Sequence, residues 1–155
     1  MGRVVTLEEL IKITEQLKSE NKKIVTTNGC FDILHVGHVR YLKEARELGD
    51  ILVVGVNSDE SVRKLKGPTR PINNENDRSE ILSSLVCVDY AVIFGEDTPV
   101  ELLSQIKPSI HAKGGDYDVN TLPEAKTVQD NGGELVFINF VDGKSTTNII
   151  NRAKL

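Results

Sequence analysis

Five short apolar runs alternate with stretches of helical periodicity, and no other feature of the chain narrows its possible folds as much. The clearest run is "DILVVGVNS", Asp50–Ser58. Its apolar residues are continuous rather than alternating, as in a strand covered on both faces. Lys23–Thr27, Tyr90–Phe94, Ser109–Lys113 and Glu134–Phe140 read as four further strands. Thr6–Ser19, Gly37–Leu48, Asp59–Leu65, Glu75–Leu85, Thr98–Ile106, Pro123–Asp130 and Ser145–Arg152 read as helices, and Lys66–Asn74, with two prolines, as loop. Thr6 and Glu9 have the spacing of a capping box. The alternation predicts a Rossmann-like α/β fold: a doubly wound, parallel, five-stranded sheet with helices on both faces. The 155 residues suit a single domain over the whole chain, without internal repeat or linker.

In such a sheet ligands bind beyond the carboxyl ends of the strands, near the point where strand order reverses. The segments to inspect are therefore Asn28–Val36, Asn57–Asp59, Gly95–Thr98, Gly114–Asp118 and Val141–Lys144. Charge limits the partners. With 19 basic and 23 acidic residues the net charge is -4, which argues against a nucleic-acid-binding protein. No apolar run approaches the ~20 residues that span a bilayer, and "MGRVVTLEELIKITEQL" lacks the apolar centre of a signal peptide. Cys30 and Cys87 do not read as a disulfide framework. The expectation is a cytoplasmic protein with neither a membrane nor a nucleic-acid partner.

The first of these segments carries the chemistry. In "TTNGCFDILHVGHVRYL", Thr26–Leu42, glycines follow the first strand and the next helix begins between His35 and His38. Glycine lets a backbone approach a ligand, and a helix start offers unpaired N–H groups, which together favour a phosphate. Residues three apart share a helical face, so both imidazoles can address one phosphate, with Gly37 leaving room between them. As imidazolium or as neutral rings they would donate to oxygens that gain charge in phosphoryl or nucleotidyl transfer. A zinc site built on Cys30, His35 and His38 is the competing reading, but a structural site needs a fourth ligand that the spacing does not supply.

Gly29-Cys30-Phe31-Asp32 followed by His35-Val36-Gly37-His38 resembles the signature of the cytidylyltransferase-like nucleotidyltransferases. "GKSTTNII", Gly143–Ile150, resembles that family's Ser-Thr-Thr opening of a late helix. "GDILVVGVNSDESVRKLKGPTRPIN", "KGGDY" and "NGGELVFINFVDGKSTTNII" sharpen the likeness to the adenylyltransferase module of bacterial ADP-heptose synthesis. The likeness runs from about Leu7 to Arg152. It implies an enzyme that joins ATP to D-glycero-β-D-manno-heptose 1-phosphate and releases pyrophosphate. Mg²⁺ would come with the triphosphate, and a homodimer is compatible with it. A cytidylyltransferase acting on glycerol 3-phosphate is the nearest rival. The kinase domain of the bifunctional members is not among these residues, so heptose phosphorylation is expected on another chain. Lys144 stands where those members carry a cysteine; it either adds a cation beside the last helix or is solvated.

The resemblance implies catalytic roles for His35, His38 and Lys66, with Lys64 as second choice for the lysine. It implies nucleotide contacts from Thr27, Asn28, Gly29, Cys30, Phe31, Gly37, Lys113, Gly114, Ser145, Thr146 and Thr147. For the sugar phosphate the candidates are Asp32, Asn57, Asp59, Arg70, Arg78 and Asp116. Arg70 and Arg78 are chosen because guanidinium binds phosphate bidentately. Asp32 would order the glycine loop or hold a metal-bound water, and Asp116 would meet the sugar or the ribose. No protein metal ligand is expected.

Overall fold

The computed structural model describes residues 1–115, 117–139 and 143–154. Its strands are β1 (Arg3–Val4), β2 (Ile24–Gly29), β3 (Ile51–Asn57), β4 (Tyr90–Phe94), β5 (Ile110–Gly114) and β6 (Glu134–Ile138). The helices are α1 (Leu7–Ser19), α2 (Val36–Glu47), α3 (Asp59–Lys66), α4 (Glu75–Ser83), α5 (Val100–Ile106), α6 (Pro123–Asp130) and α7 (Thr146–Ala153), with a short 3-10 turn at Val119–Thr121.

The sheet is parallel and has six strands, not five, in the order β1-β4-β3-β2-β5-β6. The missed strand, β1, is two exposed residues paired with Tyr90 and Ala91. So short an element has no periodicity of its own, and only its neighbour β4 defines it. β2 runs past the expected end at Thr27 through Asn28 and Gly29, because β3 continues to pair with it there.

Side chains along each strand alternate between two apolar layers, as the pleat requires. Ile24, Val53 and Val92 pack with Leu10, Leu102 and Ile106 of α1 and α5. Val25, Leu52, Val54 and Ala91 pack with Leu42, Ala45 and Leu82 of α2 and α4. Each fully buried side chain of this kind contributes about 1.5–3 kcal/mol. Caps end the helices where polar residues precede them. Thr6 and Glu9 form the expected box at α1, and Ser58, Asn74 and Ser145 cap α3, α4 and α7.

The chain steps outward from β2 to β3 to β4, then crosses back to the other side of β2 to form β5 and β6. Strand order therefore reverses between β2 and β5. These two share only the pairs Val25–Ile110 and Thr26–His111. Beyond them β2 stays with β3 as far as Gly29–Val56, and β5 stays with β6 as far as Gly114–Ile138. The sheet forks at its carboxyl edge.

Candidate active site

A cleft of about 930 Å³ opens at this fork. The loop after β2, the start of α2, the ends of β3 and β5, and the N-terminus of α7 line it.

His35 is the N-cap of α2 and His38 lies in its first turn. Their rings stack with centroids 3.9 Å apart and planes 27° from parallel. The two imidazoles cap the helix reciprocally: His35 Nδ1 accepts from the Gly37 amide at 3.1 Å, and His38 Nδ1 accepts from the His35 amide at 3.4 Å. A nitrogen that accepts a backbone N–H carries no proton, so each neutral ring holds its proton on Nε2. A Cβ on Gly37 would lie 2.8 Å from the His35 ring, so only glycine admits the stacked pair. Gly29 has the same function for Phe31, whose ring a Cβ there would meet at 2.9 Å and which sits 5.3 Å from His38.

Burial first, and the neighbouring His35 second, push His38 down from 6.5 to about 4. Partial burial, then the charge of Lys144, lower His35. At neutral pH the pair therefore offers two uncharged Nε2–H donors. The sequence left imidazolium and imidazole both open; the environment selects imidazole.

At α7, Ser145 Oγ caps the helix by accepting from the Asn148 amide at 3.0 Å. The Thr146 hydroxyl donates to the Ile33 carbonyl at 2.8 Å, which ties the helix start to the loop after β2. Ser145, Thr146 and Thr147 all line the cleft. Lys66, the last residue of α3, also lines it and is exposed, whereas Lys64 points elsewhere and pairs with Glu60 at 4.0 Å. Lys144, next to Gly37, adds another cation to the wall.

Asp32 is buried and organises the segment after α3. Its carboxylate accepts from the Ile72 and Asn73 amides, both at 2.9 Å through Oδ1, and from Arg70 Nε at 2.9 Å through Oδ2. Burial alone would raise this carboxyl, but the two amides and Arg70 outweigh it and hold the group below its ordinary value. The loop that Asp32 orders is thus the Arg70–Asn73 segment and not the glycine loop expected from the sequence. Arg70 lines the cleft with its Nε anchored in this way.

Several expected ligand groups lie elsewhere. Arg78 is 1% exposed and does not reach the cleft. Its guanidinium donates to the carbonyls of Asn73, Cys30 and Asn57 and to Asp59 Oδ1, all within 2.7–2.9 Å. Arg78 and Asp59 thus form a clamp beneath the loops, not a phosphate site, because a guanidinium so enclosed has no face left for an anion. Thr27 is also buried, with its hydroxyl 2.6 Å from Tyr41 Oη. Asn57 reaches the cleft, although its amide nitrogen is engaged with Ser61 Oγ at 2.9 Å. Lys113 lines the cleft beside Gly114, bonded at 2.8 Å to the buried Glu124 and lying 5.2 Å from the Tyr117 ring centre. Asn28, Gly29, Cys30 and Phe31 line the cleft. Asp116 lies outside the described residues.

Sequence reasoning missed Tyr41 and Glu124 as cleft residues, whereas Asp97, Thr98 and Tyr117 lie in the strand-end segments Gly95–Thr98 and Gly114–Asp118, where no side chain but Asp116 was assigned a role. Tyr41 was readable, since it follows His38 by three on the same helical face. Glu124 reaches the site only from α6, beyond the crossover to β5, which no local spacing reveals. Among the described residues no three His, Cys, Asp or Glu side chains gather as a metal-binding group. Nor, among them, is any helix long and apolar enough to cross a membrane.

The sequence profile described as cytidylyltransferase-like matches residues 26–152, which include the forked strands, both histidines and the start of α7. The chain belongs to the cytidylyltransferase-like family. It is 58% identical over 153 residues to the bifunctional protein HldE of Aliarcobacter butzleri, covering 97% of this chain and 31% of that protein. It is 53% identical to the HldE protein of Pelobacter propionicus, with the same two coverages. The chain thus spans about a third of the length of the curated relatives it matches. Among solved structures, a lipopolysaccharide core biosynthesis protein from Thermoplasma volcanium is 33% identical. It superposes with a TM-score of 0.63 over 79% of this chain and 99% of that one. A pantothenate synthetase from Thermus thermophilus, 15% identical, shares the fold with a TM-score of 0.64 over 90% of this chain and 62% of that one. The cytidylyltransferase-like family and the Rossmann-like architecture expected from the two motifs therefore stand, with the strand count corrected to six.

Proposed function

We propose that this chain transfers an adenylyl group from ATP to D-glycero-β-D-manno-heptose 1-phosphate, releasing pyrophosphate and forming ADP-heptose for a surface saccharide. The observation that carries the reading is the stacked histidine pair, whose two Nδ1 atoms are used by the backbone so that both Nε2–H groups remain as donors at the forked edge. The high identity to the bifunctional HldE proteins supports the heptose acceptor. So does the likeness to a lipopolysaccharide core biosynthesis protein.

A sugar-phosphate oxygen attacks the α-phosphorus in line, the bond to the β-phosphate oxygen breaks, and pyrophosphate leaves. No protein nucleophile takes part. His35 and His38 donate to the α-phosphate oxygens as their charge grows. The Ser145 and Thr147 hydroxyls and the free amides at the start of α7 hold the outer phosphates, where the helix dipole favours an anion, while Thr146 stays tied to Ile33. Lys66 and Lys144 neutralise the triphosphate as point charges. Arg70, anchored on Asp32, turns its remaining guanidinium nitrogens to the acceptor phosphate. Lys113 and Gly114 flank the nucleoside. The donor set of the cleft, made of imidazole N–H, ammonium, hydroxyl and amide, suits phosphate oxygens. Mg²⁺ would therefore be held mainly by the triphosphate and water, and would supply charge neutralisation there.

The test is pyrophosphate release from ATP, CTP or GTP with heptose 1-phosphate or glycerol 3-phosphate as acceptor. The reading expects turnover with ATP and the heptose. Turnover with CTP and glycerol 3-phosphate alone replaces it with the cytidylyltransferase alternative.

A further inference from the structure

Tyr41 stands in the fork of the sheet. Its hydroxyl donates to the Ala112 carbonyl of β5 at 3.0 Å and lies 2.6 Å from the Thr27 hydroxyl of β2. A phenol has one proton, and Ala112 receives it, so Thr27 is the donor in the second bond. Burial, its largest cause, pushes the Tyr41 hydroxyl up to about 12, which keeps that proton in place at any working pH. Below the fork, Thr26 Oγ1 meets His111 Nδ1 at 2.8 Å at the last register pair the two strands share. Just beyond it, Tyr41 bridges strands that no longer pair with each other. It does so from one turn behind His38, on the helical face that carries both His38 and His35.

We propose that Tyr41, working through Thr27, is a positioning residue: its hydroxyl spans the forked strands, sets the width of the crevice and fixes the first turn of α2, and thereby aims the two Nε2–H groups. This rests on the nucleotidyl-transfer reading above. The ring alone would pack equally well as phenylalanine; the hydroxyl is what spans the two edges. Displacing a preorganised donor by a fraction of an ångström lowers turnover without abolishing substrate binding.

The variants are Tyr41→Phe, Thr27→Val and the pair combined. Tyr41→Phe is expected to lower kcat about tenfold while the KM for ATP and the melting temperature stay close to wild type. Thr27→Val should act in the same direction, and the double variant should be no worse than Tyr41→Phe, because residues that act as a unit are not additive. Thr27→Ser, which keeps the hydroxyl, should restore the rate. An unchanged kcat in Tyr41→Phe, or losses that multiply in the double variant, overturns the proposal, as does a loss that merely follows a fall in melting temperature. A second readout needs no turnover. The Cε1 proton resonances of His35 and His38 should move in Thr27→Val but not when the same change is made in a Tyr41→Phe background, and unmoved resonances in Thr27→Val overturn the proposal. Absence of pyrophosphate from the wild-type protein would instead sink the nucleotidyl-transfer reading and leave the histidine resonances to decide the role of Tyr41.

Discussion

Two polar clusters lie at the same sheet edge, and they do opposite things with their hydrogen-bonding atoms. Around Arg78 the guanidinium is consumed by Asn73, Cys30, Asn57 and Asp59, and the side chain is sealed from solvent. At the His35–His38 corner the inner nitrogens are likewise spent on the helix start, but the outer nitrogens face a cleft. Both clusters are built from residue types that bind phosphate. What separates scaffold from site is which polar atoms the fold leaves unspent. His111 makes the same point inside the core. Burial pushes it, like His38, down to about 4, yet it sits between strands with no route to a ligand. A displaced pKa alone does not mark a site.

The contrast can be broken from either side. Arg78→Ala strands three carbonyls and a carboxylate and should cost about 3–5 kcal/mol of stability, read from the urea midpoint. A variant with an unshifted midpoint but weakened acceptor affinity would return Arg78 to the binding residues. His38→Ala should lower kcat by about 10²–10³ and cost about 1 kcal/mol in the midpoint for the lost cap, well below the cost of Arg78→Ala. Full turnover in that variant removes the distinction between the two clusters.

Acid supplies the next effect. His38 and His111 bind a proton less readily when folded, near 4 against 6.5 unfolded, so between those values the unfolded chain holds more protons. Stability should therefore be flat above about 6.5 as far as these groups decide it, and fall as pH drops towards 4. Between pH 7 and 5 the loss should be on the order of 2 kcal/mol for each histidine, and about 4 kcal/mol for the two together. Asp32 has the same sense but a lower window, since its stabilisation is present above its ordinary value of 3.8 and lost only below it, so it does not act between pH 7 and 5. A urea midpoint that ignores this pH change contradicts the environments assigned to both histidines. The smallest effect belongs to Lys66. Because it is exposed, Lys66→Ala should leave stability untouched and raise the KM for ATP by about tenfold, the scale of one charge-assisted contact. Unchanged steady-state kinetics would leave it a solvated lysine.

The sequence made the strands of the central sheet visible because continuous apolar runs have one economical use, a strand covered on both faces. β1 was invisible, since two residues carry no period and their pairing with β4 is tertiary. The histidine pair was legible because spacing, glycine and the strand-to-helix junction all point to one geometry. Arg78 was misread for a physical reason: sequence records charge, while burial and the count of carbonyl acceptors decide whether that charge is free. Tyr41 could have been found from its spacing to His38, but its partners Thr27 and Ala112 meet only where β2 and β5 part. Glu124, on α6, depends on the crossover to the far side of the sheet and left no local trace.

The most direct measurement is the distance from His35 Nε2 and His38 Nε2 to the nearest α-phosphate oxygen, in a structure of the protein with a non-hydrolysable ATP analogue and Mg²⁺. Both distances should fall within hydrogen-bonding range, about 2.7–3.2 Å, with the outer phosphates at the start of α7. A triphosphate seated on another edge of the sheet, with both rings turned away from it, would contradict the account.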